Sequence, residues 1–300
     1  MQTLPKKTAA DFDPEVMKLF DQYVHGAIDR RGFIASATKY AVGGVSATML
    51  LEMLSPNFVA AQQIKKDDPR IIAKRVEYDS PDGNGKMKGY LVTPAKMAGK
   101  LATVLVIHEN RGLNPHIEDI TRRVALENYI AFAPDALAPV GGYPGDEDKA
   151  RELFSKLDQT KARADFVAAV GYLGALKDGT GKVGVVGFCY GGSMANYLAT
   201  QLPTLAAAVP FYGSAAKTED VPKIKSPLQI HFASTDERIN AGWPTYEAAL
   251  KAAGTNYEAH IYPNTQHGFN NDTTPRYDEA AAKLAWSRTL AFFNVNLRGK

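Results

Sequence analysis

Val183-Gly-Val-Val-Gly-Phe-Cys-Tyr-Gly-Gly192 decides the fold. It opens as a short apolar run that reads as a buried strand and passes straight into Gly-x-Cys-x-Gly-Gly, followed by an amphipathic stretch (Met194, Ala195, Tyr197, Leu198). A strand that turns at once into a helix strains the residue at the turn, and side chains two positions either side of it would collide. Gly187 and Gly191 meet that demand, and Gly192 lets the following helix pack close to the sheet. The pattern is a nucleophile elbow with sulfur in place of oxygen. It predicts Cys189, the only cysteine of the chain, as a nucleophile at a helix N-terminus, where exposed N–H groups and the helix dipole favour thiolate. A buried structural cysteine is the competing reading, and it leaves the surrounding glycines without a reason.

A cysteine nucleophile needs a base, and the base an orienting carboxylate, both expected in loops at strand ends. Pro227–Ala233 reads as an apolar strand, and Asp236 lies just beyond it; Glu237 is a rival, and a helix N-cap is an alternative role for Asp236. Tyr257–Tyr262 alternates as a half-buried strand, and His267 lies in the Gly-bearing loop that follows. The order nucleophile, acid, histidine is that of the α/β-hydrolase fold. Upstream, the buried strand Ala102–Ile107 ends in His108-Glu-Asn-Arg-Gly-Leu-Asn114, followed by a helix over about Pro115–Asn128 and a strand at Ile130–Ala133. In this fold the loop after the first of these strands supplies one oxyanion N–H and the residue after the nucleophile the other. The expected donors are Tyr190 N–H and Asn110 N–H.

Taken together, Glu109 after its strand, Gly-Phe-Cys-Tyr-Gly-Gly, Asp236 and Thr-Gln-His-Gly-Phe resemble the dienelactone hydrolase family, the carboxymethylenebutenolidases, over about Tyr90 to Leu297. The resemblance implies an α/β-hydrolase fold and cleavage of a lactone or other activated small ester through an acyl-cysteine. Cys189 would be the nucleophile, His267 its base and acid, Asp236 the orienter, and Glu109 a buried carboxylate that contacts the resting thiol. The alternative for Glu109 is a surface pairing with Arg111 or His108. One departure concerns the substrate: where the founding members of the family place an arginine four residues after the catalytic histidine, this chain has Asn271. Arg111, Arg238 and Arg276 are the nearest basic residues, and Arg111, Arg238 and Tyr143 are the expected substrate contacts. Alternatives are a general carboxylesterase or thioesterase, or a non-catalytic binding protein on the same fold.

His108, His116, His231 and His260 show no metal-ligand spacing, and one cysteine removes cysteine-based zinc sites, so no metal is predicted. No dinucleotide fingerprint or phosphate loop calls for a cofactor. A net charge of +3 without an aromatic-interleaved basic face argues against nucleic acid. With 45% hydrophobic content over 300 residues the chain suits a single α/β domain, placed at 66–300, behind an N-terminal segment 1–65. That segment has two readings. Asp29-Arg-Arg-Gly-Phe-Ile34, the apolar stretch Ala35–Leu54 and Val59-Ala-Ala61 read first as a twin-arginine export signal cut before Gln62, giving a periplasmic protein. The other reading is a helical arm of a cytoplasmic protein, with one helix over Pro14–Val24 and a second capped by Asp29 and running through Phe33, Tyr40 and Leu50. Lys39 and Glu52 interrupt the apolar stretch and argue against a stable membrane span. Lys74–Tyr78 and Tyr90–Thr93 around Pro81–Gly85 predict a hairpin at the sheet edge, and Val140–Gly145 a glycine-rich loop that forms pocket wall or plain connection. Nothing in the sequence fixes the oligomeric state.

Overall fold

The computed structural model describes residues 7–299, so the first six residues of the N-terminal segment and Lys300 lie outside the described residues. Helices α1 (Pro14–Val24), α2 (Arg30–Ala37), α3 (Ala47–Leu54) and α4 (Phe58–Ala61) precede strands β1 (Ile71–Ser80), β2 (Gly85–Pro94) and β3 (Leu101–Ile107). Then come α5 (Pro115–Leu126), β4 (Ile130–Pro134), α6 (Glu147–Ser155), α7 (Gln159–Gly174), β5 (Gly179–Phe188), α8 (Tyr190–Gln201) and β6 (Ala207–Phe211). The chain closes with β7 (Leu228–Ala233), α9 (Glu237–Asn240), α10 (Trp243–Ala252), β8 (Tyr257–Tyr262) and α11 (Glu279–Phe293). The strands form one sheet in the order β1-β2-β4-β3-β5-β6-β7-β8, parallel from β4 onward, with the β1–β2 hairpin antiparallel at the edge.

The inner parallel strands are buried on both faces, which is why they read as apolar runs, while β8 at the edge is half-exposed. Along β3, Leu105 and Ile107 face the layer that contains Phe166 of α7 and Leu198 of α8. Val104 and Val106 face the layer that contains Ile117 of α5 and Phe292 of α11. Strand β6, Ala-Ala-Val-Pro-Phe, has no sequence signal strong enough to announce it, because it is short, alanine-rich and carries Pro210. It nevertheless pairs with β5 (Val186 with Val209) and closes the middle of the sheet.

The N-terminal helices form a core of their own, in which Val16 and Phe20 of α1 meet Phe33 of α2 and Leu51 and Leu54 of α3. The predicted α1 has its expected bounds. The second helix is corrected: Asp29 caps it as expected, through Gly32 N–H, but it ends at Ala37. Tyr40 lies in a short 3-10 turn, and Gly43 and Gly44 both take left-handed φ angles that a continuing helix cannot accommodate. Ser46 then caps α3, which carries Leu50. Among the described residues no helix is long and apolar enough to cross a membrane.

Candidate active site

The turn from β5 into α8 holds Cys189 at φ 55°, ψ −110°, a conformation that costs a non-glycine residue on the order of 1–3 kcal/mol. Its own N–H donates to Phe211 O of β6 at 3.0 Å, so the neighbouring strand locks the strained residue in place. The glycines are needed for the steric reason read from the sequence. A Cβ on Gly187 would lie 2.0 Å from Gly191 O, one on Gly191 2.3 Å from Ile107 O, and one on Gly192 2.4 Å from Phe211 O. Each clash is with backbone, which cannot rotate away.

Loops at the ends of β7 and β8 bring Asp236 and His267 together. Thr235 N–H and Oγ1 both donate to Thr265 O, at 3.1 and 2.7 Å, and this tie fixes one loop against the other. Asp236 Oδ1 accepts from Ile239 N–H as the N-cap of α9, while Oδ2 accepts from His267 Nδ1 at 2.5 Å. The two roles weighed for Asp236, helix cap and partner of the histidine, are therefore compatible. Glu237, the rival acid, is exposed. With Nδ1–H engaged by Asp236, the Nε2 of His267 faces the cluster, and Cys189 Sγ lies within 4.8 Å of it.

The electrostatics of the pair follow from this placement. Burial pushes the Cys189 thiol up, but the positive charge of His267 and hydrogen bonds from His25 and His267 outweigh it and bring the thiol down to about 6. Burial likewise pushes His267 down, and the Cys189 thiolate together with the Asp236 hydrogen bond raises it to about 9. The thiol ionises above the lower value and the imidazole loses its proton above the higher one, so thiolate and imidazolium coexist between them as a coupled pair. Alkylation of Cys189 by iodoacetamide is therefore expected to rise through about pH 6, well below the ordinary thiol value of 9.0. A rate that stays flat until pH 9 would contradict the ion pair.

The loop after β3 is held from beneath. Ala136 N–H donates to His108 Nε2 at 3.1 Å, which assigns the proton to Nδ1 and lets it donate to Glu109 O at 2.6 Å. Asp135 Oδ1 accepts from Leu113 N–H at 3.1 Å and Leu137 N–H at 3.0 Å. His108 is fully buried and stacks on Tyr190, so the loop and the start of α8 are packed against each other. As first residue of α8, Tyr190 has a backbone N–H without an acceptor inside the helix. Glu109 Oε2 accepts from Asn271 Nδ2 at 2.9 Å, and no hydrogen bond joins Glu109 to Cys189 among the described residues. Asn271, at the position where the resemblance implies an arginine, thus fixes the carboxylate of Glu109.

The three residues expected to touch substrate fall in different places. Arg238 is exposed at the rim, with Nη2 3.1 Å from His25 Nε2 and 3.5 Å from His267 Nδ1. Arg111 is buried and donates to Asn110 O and Val24 O, both at 3.1 Å. Tyr143, in the glycine-rich loop, donates to Glu147 Oε1 at 2.8 Å and meets Phe58 edge-on.

Sequence reading missed His25. Helix α1 ends over Cys189, and the residue after it places Nε2 3.8 Å from Cys189 Sγ and 3.3 Å from His267 Nε2. His25 Nδ1 is 2.8 Å from Asp21 O and 3.2 Å from Asp21 Oδ1. Asp21 in turn contacts Arg276, which also lies over the Phe20 ring. Val24 O accepts from the Asn110 and Arg111 side chains, and Tyr23 O from Arg151. Beneath α1, beside Glu109 and Asn110, lies a void of about 40 Å³, and a larger cavity of about 620 Å³ is lined by Asp21, Asp236, Arg238 and His267. No local motif marks His25, because its place depends on how a separate helical core docks across 164 residues of chain.

The dienelactone hydrolase family model matches residues 87–297, and a YqhI-like model matches residues 4–42. A Saccharolobus solfataricus protein named "Putative carboxymethylenebutenolidase" is 33% identical over 257 residues, covering 73% of this chain and 97% of that protein. A Klebsiella pneumoniae structure described as a "Putative Dienelactone Hydrolase" superposes with a TM-score of 0.66 at 29% identity, covering 74% of this chain and 98% of that one. A thermostable esterase from Pseudomonas putida shares the fold at 16% identity with a TM-score of 0.62, over 99% of both chains. The elbow, the strand order and the extent of these matches lead to one assignment: the chain belongs to the dienelactone hydrolase family.

Proposed function

We propose that this protein hydrolyses a lactone or other activated small ester through an acyl-Cys189 intermediate. The observation that carries the reading is the strained cysteine facing His267, whose Nδ1 is held by buried Asp236. In the proposed reaction the Cys189 thiolate attacks the ester carbonyl and the charge on its oxygen develops toward the N–H groups of Tyr190 and Asn110. The imidazolium of His267 then gives its proton to the departing alkoxide or enolate, leaving the acyl group on sulfur. Water attacks the thioester with His267 as base, and the thiolate returns as leaving group. A thiolate departs from the tetrahedral intermediate more readily than an alkoxide, so substrates with a good leaving group, such as enol or aryl esters, suit acylation best. The founding activity of the family, on a dienelactone, fits this chemistry; the carboxylate-binding arginine is not at its family position, and Arg238 or Arg276 would have to serve instead.

An acyl group has room beside the base in the cavity of about 620 Å³ that Asp21, Asp236, Arg238 and His267 line. A panel of lactones, aryl esters and matched amides, assayed on the full chain, tests the reading: turnover of activated esters and lactones well above that of amides is expected, and faster amide turnover would overturn it. A binding protein on the same fold would show no turnover of any of them.

For the N-terminal segment we propose a retained arm, supported by the burial of Phe33 and by the contacts of Val24 O with Asn110 and Arg111. Mass spectrometry of protein from a native-like host is expected to show a chain that still contains His25. A mature chain starting near Gln62 in the periplasm, lost on joint Arg30→Lys and Arg31→Lys substitution, would establish the twin-arginine reading instead.

A further inference from the structure

Two imidazoles and one thiol converge on a single point from two separately packed parts of the chain. Each imidazole directs Nδ1 toward its own aspartate, His25 toward Asp21 and His267 toward Asp236. Both Nε2 atoms consequently turn inward, and they lie 3.3 Å apart with the Cys189 sulfur within 4.8 Å of each. With one proton between them the two nitrogens form an N–H···N hydrogen bond, and Arg238 Nη2 also lies 3.1 Å from His25 Nε2; once that proton leaves, two lone pairs and a thiolate face one point, the donor set of a cation site.

Against the expectation from sequence that a single cysteine leaves no zinc site, we infer that His25, Cys189 and His267 form a binding site for one Zn²⁺-like divalent ion, which ties the N-terminal arm to the proposed nucleophile and silences it. Zinc bound at about 2.3 Å to sulfur and about 2.0–2.1 Å to nitrogen sets tetrahedral edges of about 3.3 Å between nitrogens and about 3.6 Å between sulfur and nitrogen. The nitrogens here are 3.3 Å apart and the His25 edge to sulfur is 3.8 Å. The remaining edge, no longer than 4.8 Å, closes by a shift of about 1 Å in the cysteine side chain. The carboxylate behind each histidine is the outer shell that metal-bound imidazoles ordinarily have, fixing the tautomer and raising ligand basicity. The donor set is right for zinc, with one thiolate, two neutral imidazoles and a fourth position open to water. On binding, the proton shared by the thiolate and the imidazoles leaves to solvent and the ion takes its place. Sulfur that ligates zinc cannot attack a carbonyl, and His25 bound to the same ion holds α1 over the site. Arg238 is the competing group: its exposed guanidinium lies 3.1 Å from His25 Nε2 and must withdraw to admit the ion.

The test uses the full chain with Zn²⁺ in calorimetry and Co²⁺ as an absorbing substitute. One ion per chain is expected, with a thiolate-to-Co²⁺ charge-transfer band that disappears in Cys189→Ser. His25→Gln, which keeps the size of the side chain, is expected to weaken Zn²⁺ binding by at least a hundredfold, with His25→Ala as a second variant and protease resistance of residues 7–65 as the check that the arm stays docked. Asp21→Asn should weaken it 10- to 100-fold, the effect typical of an outer partner, and Arg238→Gln should tighten it. Zn²⁺ should also block alkylation of Cys189 and ester turnover in step with occupancy, with recovery on adding a chelator. Unchanged affinity in both docked His25 variants would overturn the site, and ester turnover that rises with zinc occupancy would overturn its silencing role. Metal binding is read without turnover, so failure of the site and failure of the acyl-cysteine reading remain separate results.

Discussion

Replacing Cys189 by Ala is expected to lower ester turnover by about 10⁴-fold or more, and His267→Ala by a similar factor, with the double variant losing little beyond either. The non-additivity is the informative part. Thiolate and imidazolium form one coupled pair, so removing either leaves the other with nothing to do. Additive losses would mean that the two residues act in separate steps. Asp236→Asn extends the argument, because the amide cannot balance the imidazolium charge and can impose the wrong tautomer on Nδ1. Its effect is expected at about 10³–10⁴-fold, with the His267 pKa moving down. Steady-state kinetics on lactone and aryl ester substrates check all three.

The second large effect lies in the arm. Phe33 is completely buried in the small core shared by α1, α2 and α3. Phe→Ala in a core costs about 3–5 kcal/mol, and a helical core of this size has little stability to spare. Phe33→Ala is therefore expected to release the arm without unfolding the sheet domain. Limited proteolysis should cut within residues 7–65 while 66–299 stay protected, and iodoacetamide should reach Cys189 at least tenfold faster once α1 no longer covers it. Loss of the whole protein at one cooperative midpoint, with no separate cleavage of the arm, would show that arm and domain form a single unit.

The sheet was legible because its chemistry and its folding draw on the same residues. A buried parallel strand reads as an apolar run, and the elbow needs glycine at fixed positions, so Val183–Gly192 announces both the centre of the sheet and the cysteine proposed as nucleophile. Asp236 and His267 were readable from their places after strands. Strand β6 was not, since five residues with two alanines and a proline at the fourth position carry no periodicity, and the sheet recruits them by pairing on both sides. The break after Ala37 was missed for a different reason: apolar spacing through Phe33, Tyr40 and Leu50 suits a helix, but the Gly43–Gly44 turn folds α3 back on α2 instead. Glu109 was placed correctly at the end of β3, yet its partner Asn271 comes from a loop 162 residues away. His25 is the extreme case. Helical spacing located α1 to the residue, while the surface on which α1 docks is a tertiary property that no window of sequence holds.

The central claim, nucleophilic attack by Cys189, is tested most directly by trapping the intermediate. The full chain is mixed with an activated aryl ester, quenched in acid within the first turnover, digested, and the peptide that contains Cys189 is weighed. The expected result is the mass of one acyl group on that peptide, stable at low pH, released by hydroxylamine, and absent from Cys189→Ala. Acylation of a different residue, or rapid ester turnover by Cys189→Ala with no adduct on the cysteine peptide of the unmodified chain, would contradict it.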